Sequence, residues 1–145
     1  MEYEIREMTL DDYYEVYSLW QRTEGLKLDE SDSYENMKNY LKRNPKLNYI
    51  AVHNEKIIGT VKCGQDGRRG YIYHLVVDDK YRKNGLSKQL YKKCLEELKI
   101  QNIWKCTIYV LESNNSGLCY WTHNGWSALE SNFYMLQKDL KEDIE

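Results

Sequence analysis

Proline is almost missing from these 145 residues: Pro45 is the only one, and the 8 glycines are scattered. That excludes Pro- or Gly-rich linkers and low-complexity tracts, and no internal repeat interrupts the chain. Charge of one sign is missing too, since 21 Lys+Arg stand against 23 Asp+Glu for a net charge of −2. A nucleic-acid partner would call for a strongly basic surface. No stretch approaches the roughly 18 apolar residues of a membrane span, and residues 1–15 hold no charged-then-apolar leader. The expectation is a soluble, cytoplasmic chain with no membrane and no nucleic-acid partner. Cys63, Cys94, Cys106 and Cys119 form no C-x-x-C pair, and His53, His74 and His123 form no ligand-spaced pair. Neither a redox dithiol nor a metal site is expected.

What is present is aromatic. Tyr and Trp, 14 and 4 of them, dominate a 13% aromatic share that can build a core. The length suits one domain, residues 1–145. Residues 3–8 alternate as a first strand. Thr9 with Asp11 and Asp12 opens a helix to about Arg22, in which Tyr13, Val16, Tyr17 and Trp20 share a face. A second helix runs from about Ser33 to Arg43, with Pro45 beyond its end. Strands follow at 49–52, 57–63 and 71–77, joined by a polar turn and by a loop holding Asp66-Gly67. A helix from about Gly85 to Lys99, a strand at 103–111, a short helix at 114–123 and a closing strand at 133–140 complete the order. This is an α/β (α+β) fold, a mixed and mostly antiparallel sheet flanked by helices.

The chemistry concentrates where the strand at 71–77 passes through Asp78-Asp79-Lys80-Tyr81 into Arg82-Lys83-Asn84-Gly85-Leu86-Ser87-Lys88. A strand end, a polar loop and a helix start converge backbone N–H groups and the positive end of a helix on one spot. Gly85 leaves room for a close anion, Ser87 is small, and Arg82, Lys83 and Lys88 add positive charge. The physical expectation is a phosphate or pyrophosphate cradle; an ordinary helix start with a surface glycine would look the same in sequence.

Arg82-x-x-Gly85-x-Ser87 resembles the acyl-CoA signature R/Q-x-x-G-x-G/A of the GNAT superfamily of N-acetyltransferases, with Ser in the last position. Asn114, Gly117, Trp121, Gly125 and Trp126 fall at the spacing of a second motif of that superfamily, N-x-x-A-x-x-x-Y-x-x-x-G-F. The order of strands and helices matches over essentially the whole chain, and Asp66-Gly67-Arg68-Arg69-Gly70 with Tyr73-His74-Leu75 resembles a small, poorly assigned bacterial branch. The resemblance implies acetyl-CoA as co-substrate, with its pyrophosphate on the amides of Arg82 to Ser87. The pantetheine arm would run along Leu75, Val76 and Val77, and the amide of Val77 would polarise the thioester carbonyl. Asn114, Gly117 and Trp121 would complete the cofactor side, across a gap where the strands at 71–77 and 103–111 splay apart.

Two positions depart from the family. Trp121 stands where a Tyr usually protonates the departing thiolate; Tyr120 is one residue earlier, about 100° around the helix. Tyr73 stands where a Glu is frequent, and is a cleft-wall aromatic or the holder of a water chain. Alternation along the strand puts Tyr71, Tyr73 and Leu75 on one face and His74 on the other, where a packed histidine is expected. The connection between the first two helices is acidic (Glu24, Asp29, Glu30, Asp32, Glu35), and Glu24 and Asp29 are the candidates for holding a cationic acceptor. Arg68, Arg69, Lys92 and Lys93 are read mainly as solvated side chains, and Cys119 has nothing near it in sequence to activate a thiol. The leading expectation is direct acetyl transfer from acetyl-CoA to a primary amine of a small molecule, amino acid or peptide N-terminus. Its rival is a catalytically weak acyl-CoA-binding sensor, favoured by Trp121 and Tyr73. A generic nucleotide binder is third, without a G-x-G-x-x-G or G-x-x-x-x-G-K-[ST] motif. An exposed closing strand or aromatic surface could also support a homodimer.

Overall fold

A computed structural model describes residues 2–129 and 134–143. The chain divides into two compact units, Met1–Tyr109 and Val110–Glu145. In the first, strands β1 (Glu4–Glu7), β2 (Tyr49–His53), β3 (Lys56–Gln65), β4 (Gly70–Val77) and β5 (Cys106–Thr107) form one sheet in that order. The first four pair antiparallel and β5 joins β4 in parallel.

Local chemistry explains the helices on this sheet. Asp12 accepts from the Thr9 amide at 2.8 Å and is gripped by Arg6 at 2.8 Å, fixing the turn that opens α1 (Tyr13–Gln21). Tyr13, Val16, Leu19 and Trp20 of α1 are buried with Met37 of α2 (Tyr34–Arg43), Ile50 and Val76, which makes the core on one face of the sheet. Ser33 caps α2 by accepting from the Asn36 amide at 3.2 Å. On the other face α3 (Leu86–Ile100) buries Leu86, Leu90, Cys94 and Leu98 at the spacing of one helical stripe.

Three sequence expectations change. The strand expected at 103–111 is only Cys106–Thr107, paired to Gly70 and Tyr71. Beyond Tyr71 no strand pairs with that side of β4 among the described residues. The closing strand expected at 133–140 is not formed: Phe133 lies outside the described residues, and 134–139 are irregular before a 3-10 turn at Leu140–Asp143. Tyr134 and Leu136 are largely exposed.

The third change lies inside β4. Thr60 pairs with Val76 but Lys62 with Tyr73, so Val61 alone faces both His74 and Leu75, and His74 has φ +43°. This is a β-bulge, one extra residue that breaks the alternation. Lys62 and its partner Tyr73 share a face, and the imidazole of His74 reaches that same face to meet Asp32, as Lys62 does. His74 therefore stands with Tyr73 and not opposite it, as simple alternation predicts.

The second unit is built around α4 (Asn115–His123), capped by Asn114, whose side chain accepts from the Gly117 amide at 2.9 Å. A Cβ on Gly117 would lie 2.4 Å from Asn114 Nδ2, so the cap needs glycine at that position. Trp121 packs edge-on against Tyr120 and Trp126, with ring centroids 5.2 and 5.0 Å away.

Candidate functional site

The candidate site begins at the end of β4. The amide of Asp78 donates to the carbonyl of Ile58 at 2.8 Å. Residues in an antiparallel ladder alternate between bonding inward and outward, so the N–H and C=O of Val77 point away from β3, toward the open edge. Leu75 and Val76 precede Val77, with Val76 buried and paired to Thr60.

The loop that follows is tied down before α3 begins. Asp78 accepts from the Lys80 amide at 3.0 Å and Asn84 donates to the Tyr81 carbonyl at 3.2 Å. Lys83 and Gly85 both have left-handed backbone, φ +70° and +72°. A Cβ on Gly85 would meet no protein atom within 4 Å, so the space in front of it is open. Gly85 caps α3, whose first-turn amides lack intrahelical acceptors, with Leu86 buried beneath and Ser87 and Lys88 in the first turn. That open, amide-lined helix start fits a pyrophosphate. Arg82 folds back over it: its Nε donates to the Val77 carbonyl at 3.2 Å and its guanidinium meets Asp79 at 2.8 Å. A cleft of about 510 Å³ opens beside the loop, between Leu19, Arg22 and Thr23 of the α1 end, Lys56 to Ile58, and Val77 to Arg82.

Around the bulge lies a second, mostly buried polar group. Asp32 Oδ1 takes both Lys62 Nζ at 3.0 Å and His74 Nε2 at 2.8 Å. Burial alone would raise the Asp32 carboxyl, but the hydrogen bond from His74 and the charge of Lys62 hold it down to about 2. Lys62 Nζ also lies 4.7 Å over the ring of Tyr40, and the Tyr13 hydroxyl donates to the Asp32 carbonyl at 2.7 Å. The indole of Trp20 packs against His74 at 4.9 Å and donates to Thr60 Oγ1 at 2.9 Å.

The sequence-predicted acceptor residues are arranged differently from Asp32. Asp29 uses its carboxylate to accept from the Ser31 hydroxyl and amide, which hold its carboxyl below the usual carboxylate range, as the cap of the turn Glu30–Asp32. Glu24 is exposed in the same connection. Tyr73 stacks on Tyr71 with centroids 6.3 Å apart, and burial raises its phenol, so it enters as a protonated wall. Sequence reasoning passed over Asp32 as one of five acidic residues. The available signal was Lys62, a lysine in the apolar run Val61-Lys62-Cys63 that demands a buried partner. Among the thiols, burial pushes Cys106 up to about 12, far from a thiolate nucleophile, while Cys119 is exposed in the second unit. That unit carries Asn114, Gly117, Tyr120 and Trp121 on or at the start of α4. Among the described residues no group of three or more His, Cys, Asp or Glu could hold a metal ion, and no helix is long and apolar enough to cross a membrane.

Comparison with known proteins bears on this arrangement. The family model for the acetyltransferase (GNAT) family matches residues 7–126. An acetyltransferase of Yersinia pestis (strain Pestoides F) is 33% identical over 113 residues, covering 78% of this chain and 79% of its own. The PaiA N-acetyltransferase of Thermoplasma acidophilum, solved with coenzyme A, superposes with a TM-score of 0.79 at 19% identity, covering 91% of this chain and 94% of its own. The ribosomal-protein-S18-alanine N-acetyltransferase of Escherichia coli gives a TM-score of 0.71 at 18% identity, with 86% and 77% covered. The mixed sheet, the strand end beside a glycine-capped helix and the matched family model agree: this chain belongs to the GNAT family and is an acetyl-CoA-dependent acetyltransferase.

Proposed function

We propose that the protein moves the acetyl group of acetyl-CoA directly to a primary amine of a small molecule, an amino acid or a peptide N-terminus. The observation that carries this reading is the outward-facing Val77 amide at an unpaired strand edge, one short loop from the open helix start at Gly85. The amides of Arg82 to Ser87, with Lys83, Asn84 and Lys88, hold the pyrophosphate, and Leu75 to Val77 bind the pantetheine arm as an added strand would. Val77 N–H then faces the thioester oxygen, where charge develops during attack. Asn114, Gly117 and Trp121 are cofactor residues by motif, in one domain spanning 1–145; the family model spans residues 7–126.

A thiol of ordinary pKa near 8.5 leaves tolerably well at neutral pH, so Trp121 in place of a tyrosine slows the step without forbidding it. Tyr120 is the neighbouring hydroxyl. Glu24 and Asp29 provide negative charge for a cationic acceptor, with Tyr73 as wall. The balanced surface charge and the free thiols suit a cytoplasmic protein without a nucleic-acid partner, and exposed aromatics such as Tyr14 and Tyr34 offer a face for a second copy.

The test is melting with saturating acetyl-CoA, with ATP as control, followed by an amine panel. Acetyl-CoA alone should raise the midpoint, and Glu24→Gln with Asp29→Asn should raise KM for the best amine. Binding without turnover of any amine would favour the sensor. No midpoint shift would sink the cradle at Gly85.

A further inference from the structure

Three features outside the donor cradle stand out: the tyrosine cluster on α1 and α2, the buried thiols between β3 and α3, and the Asp32–Lys62–His74 group at the bulge. Only the last joins a proton-accepting side chain to the acetyl-transfer edge. We propose that His74 is the proton acceptor for the incoming ammonium group, with Asp32 and Lys62 as positioning residues that fix its tautomer and its charge.

The argument begins with Asp32. Its carboxylate is 2% exposed, yet it is shared by two donors on one oxygen. Lys62, 7% exposed and boxed in by the Tyr40 ring, already balances that charge. A second full positive charge on His74 would find no second anion. The groups that face His74 are Asp32 from the turn before α2, Lys62 from β3, Tyr73 beside it on β4, and the uncharged indole of Trp20 from α1. A neutral imidazole has one arrangement of its proton in this set. Its Nε2–H donates to Asp32 Oδ1, and Nδ1 is thereby left with a lone pair.

Exposure points the same way. His74 keeps 15% of its side chain exposed, more than Asp32 or Lys62, so the outlet of the group runs through the imidazole. The bulge matters here, because without it His74 would face α3. Along the strand His74 precedes Val77 by three residues, roughly 10 Å, so water is the expected link between the imidazole and the reacting nitrogen.

The step balances as follows. R–NH3⁺ gives one proton, through that water, to Nδ1 of His74. The freed lone pair forms the N–C bond to the acetyl carbon, the C–S bond breaks, and sulfur leaves with the electron pair. The second nitrogen proton ends on that sulfur as thiol, and the imidazolium, held beside Asp32, returns its proton to solvent. The products are R–NH–acetyl, CoA–SH and H⁺.

This inference rests on the proposed acetyl transfer to an amine, so its test has an arm that needs no turnover. Long-range proton–nitrogen spectra of ¹⁵N-histidine protein are recorded across neutral pH, with the His74 signals identified by their loss in His74→Gln. The neutral imidazole is expected to carry its proton on Nε2 with Nδ1 bare. Lys62→Met should move that titration to higher pH, and Asp32→Asn to lower pH. A neutral imidazole protonated on Nδ1, or a titration unmoved by Lys62→Met, would overturn the assignment. The second arm follows thiol release from acetyl-CoA, with and without cadaverine or an alanine-initiated tetrapeptide. His74→Gln should lower kcat/KM by about 10²–10⁴-fold and erase the acid limb of its pH profile. Its midpoint rise with acetyl-CoA should be unchanged. Activity retained within about threefold, with the same profile, would refute the role. Loss of the acetyl-CoA midpoint rise in the wild type would instead count against the proposed function.

Discussion

Gly85 and Gly67 make a matched pair for testing the donor cradle. Both have left-handed backbone, φ +72° and +91°, and a Cβ on either would meet no protein atom within 4 Å. Replacing either by Ala therefore costs the same kind of backbone strain, about 1 kcal/mol, and no packing. For a domain of this length that lowers the midpoint by a few degrees in both variants. Only Gly85 stands at the start of α3, so only there does the added methyl group stand between a phosphate and the helix amides. Suppose the methyl weakens acetyl-CoA binding tenfold, a cost of about 1.4 kcal/mol. At 100 times the wild-type Kd, the ligand stabilises wild type and Gly67→Ala by about 2.7 kcal/mol, but Gly85→Ala by about 1.4 kcal/mol. Calorimetric or fluorescence melting with and without acetyl-CoA reads this as a midpoint rise roughly halved in one variant and intact in the other. Equal rises in the two variants would refute the argument, because strain would then be the only thing Gly85 avoids.

Two further outcomes follow from the geometry. Asp32 has its carboxyl lowered from 3.8 to about 2, so its contribution to stability is complete above about pH 4 and is lost as pH falls through about 2. The difference is worth about 2 kcal/mol, and Asp32→Asn should flatten the acid side of a denaturation-versus-pH curve; an unchanged slope would contradict it. Gly117→Ala puts a methyl group 2.4 Å from the Asn114 carboxamide and should cost about 1 kcal/mol by displacing the cap of α4, as Asn114→Ala should. If the double variant costs the sum of the two, the cap and the glycine do not act together.

Much of the first unit was legible because its signals are local. The period of Tyr13, Val16 and Trp20, the Ser33 cap and the Asp66-Gly67 turn each specify their element without help from distant residues. The Gly85 loop was legible for the same reason, since a strand end, a left-handed residue and a helix start are consecutive. The bulge at His74 was not, because no glycine marks it and its only cause is the register between β3 and β4. That single extra residue reversed the face of His74. Asp32 was hidden differently: five carboxylates share one connection, and the choice of which turns inward is made by Lys62, 30 residues away. Of the strand expected at 103–111 only Cys106–Thr107 pairs, and residues 134–139 are irregular, because β propensity describes only a willingness to pair.

The short β5 has one more consequence. Where it stops, β4 exposes backbone groups of the kind that recruit a foreign strand, the usual beginning of edge-to-edge aggregation. Arg82 lays its guanidinium on the Val77 carbonyl and places a charge at that opening. The arginine of the proposed phosphate loop thus also acts as a stopper of the sheet edge. An edge kept open for a ligand has to be guarded against the protein's own neighbours, and here one arginine stands at both posts.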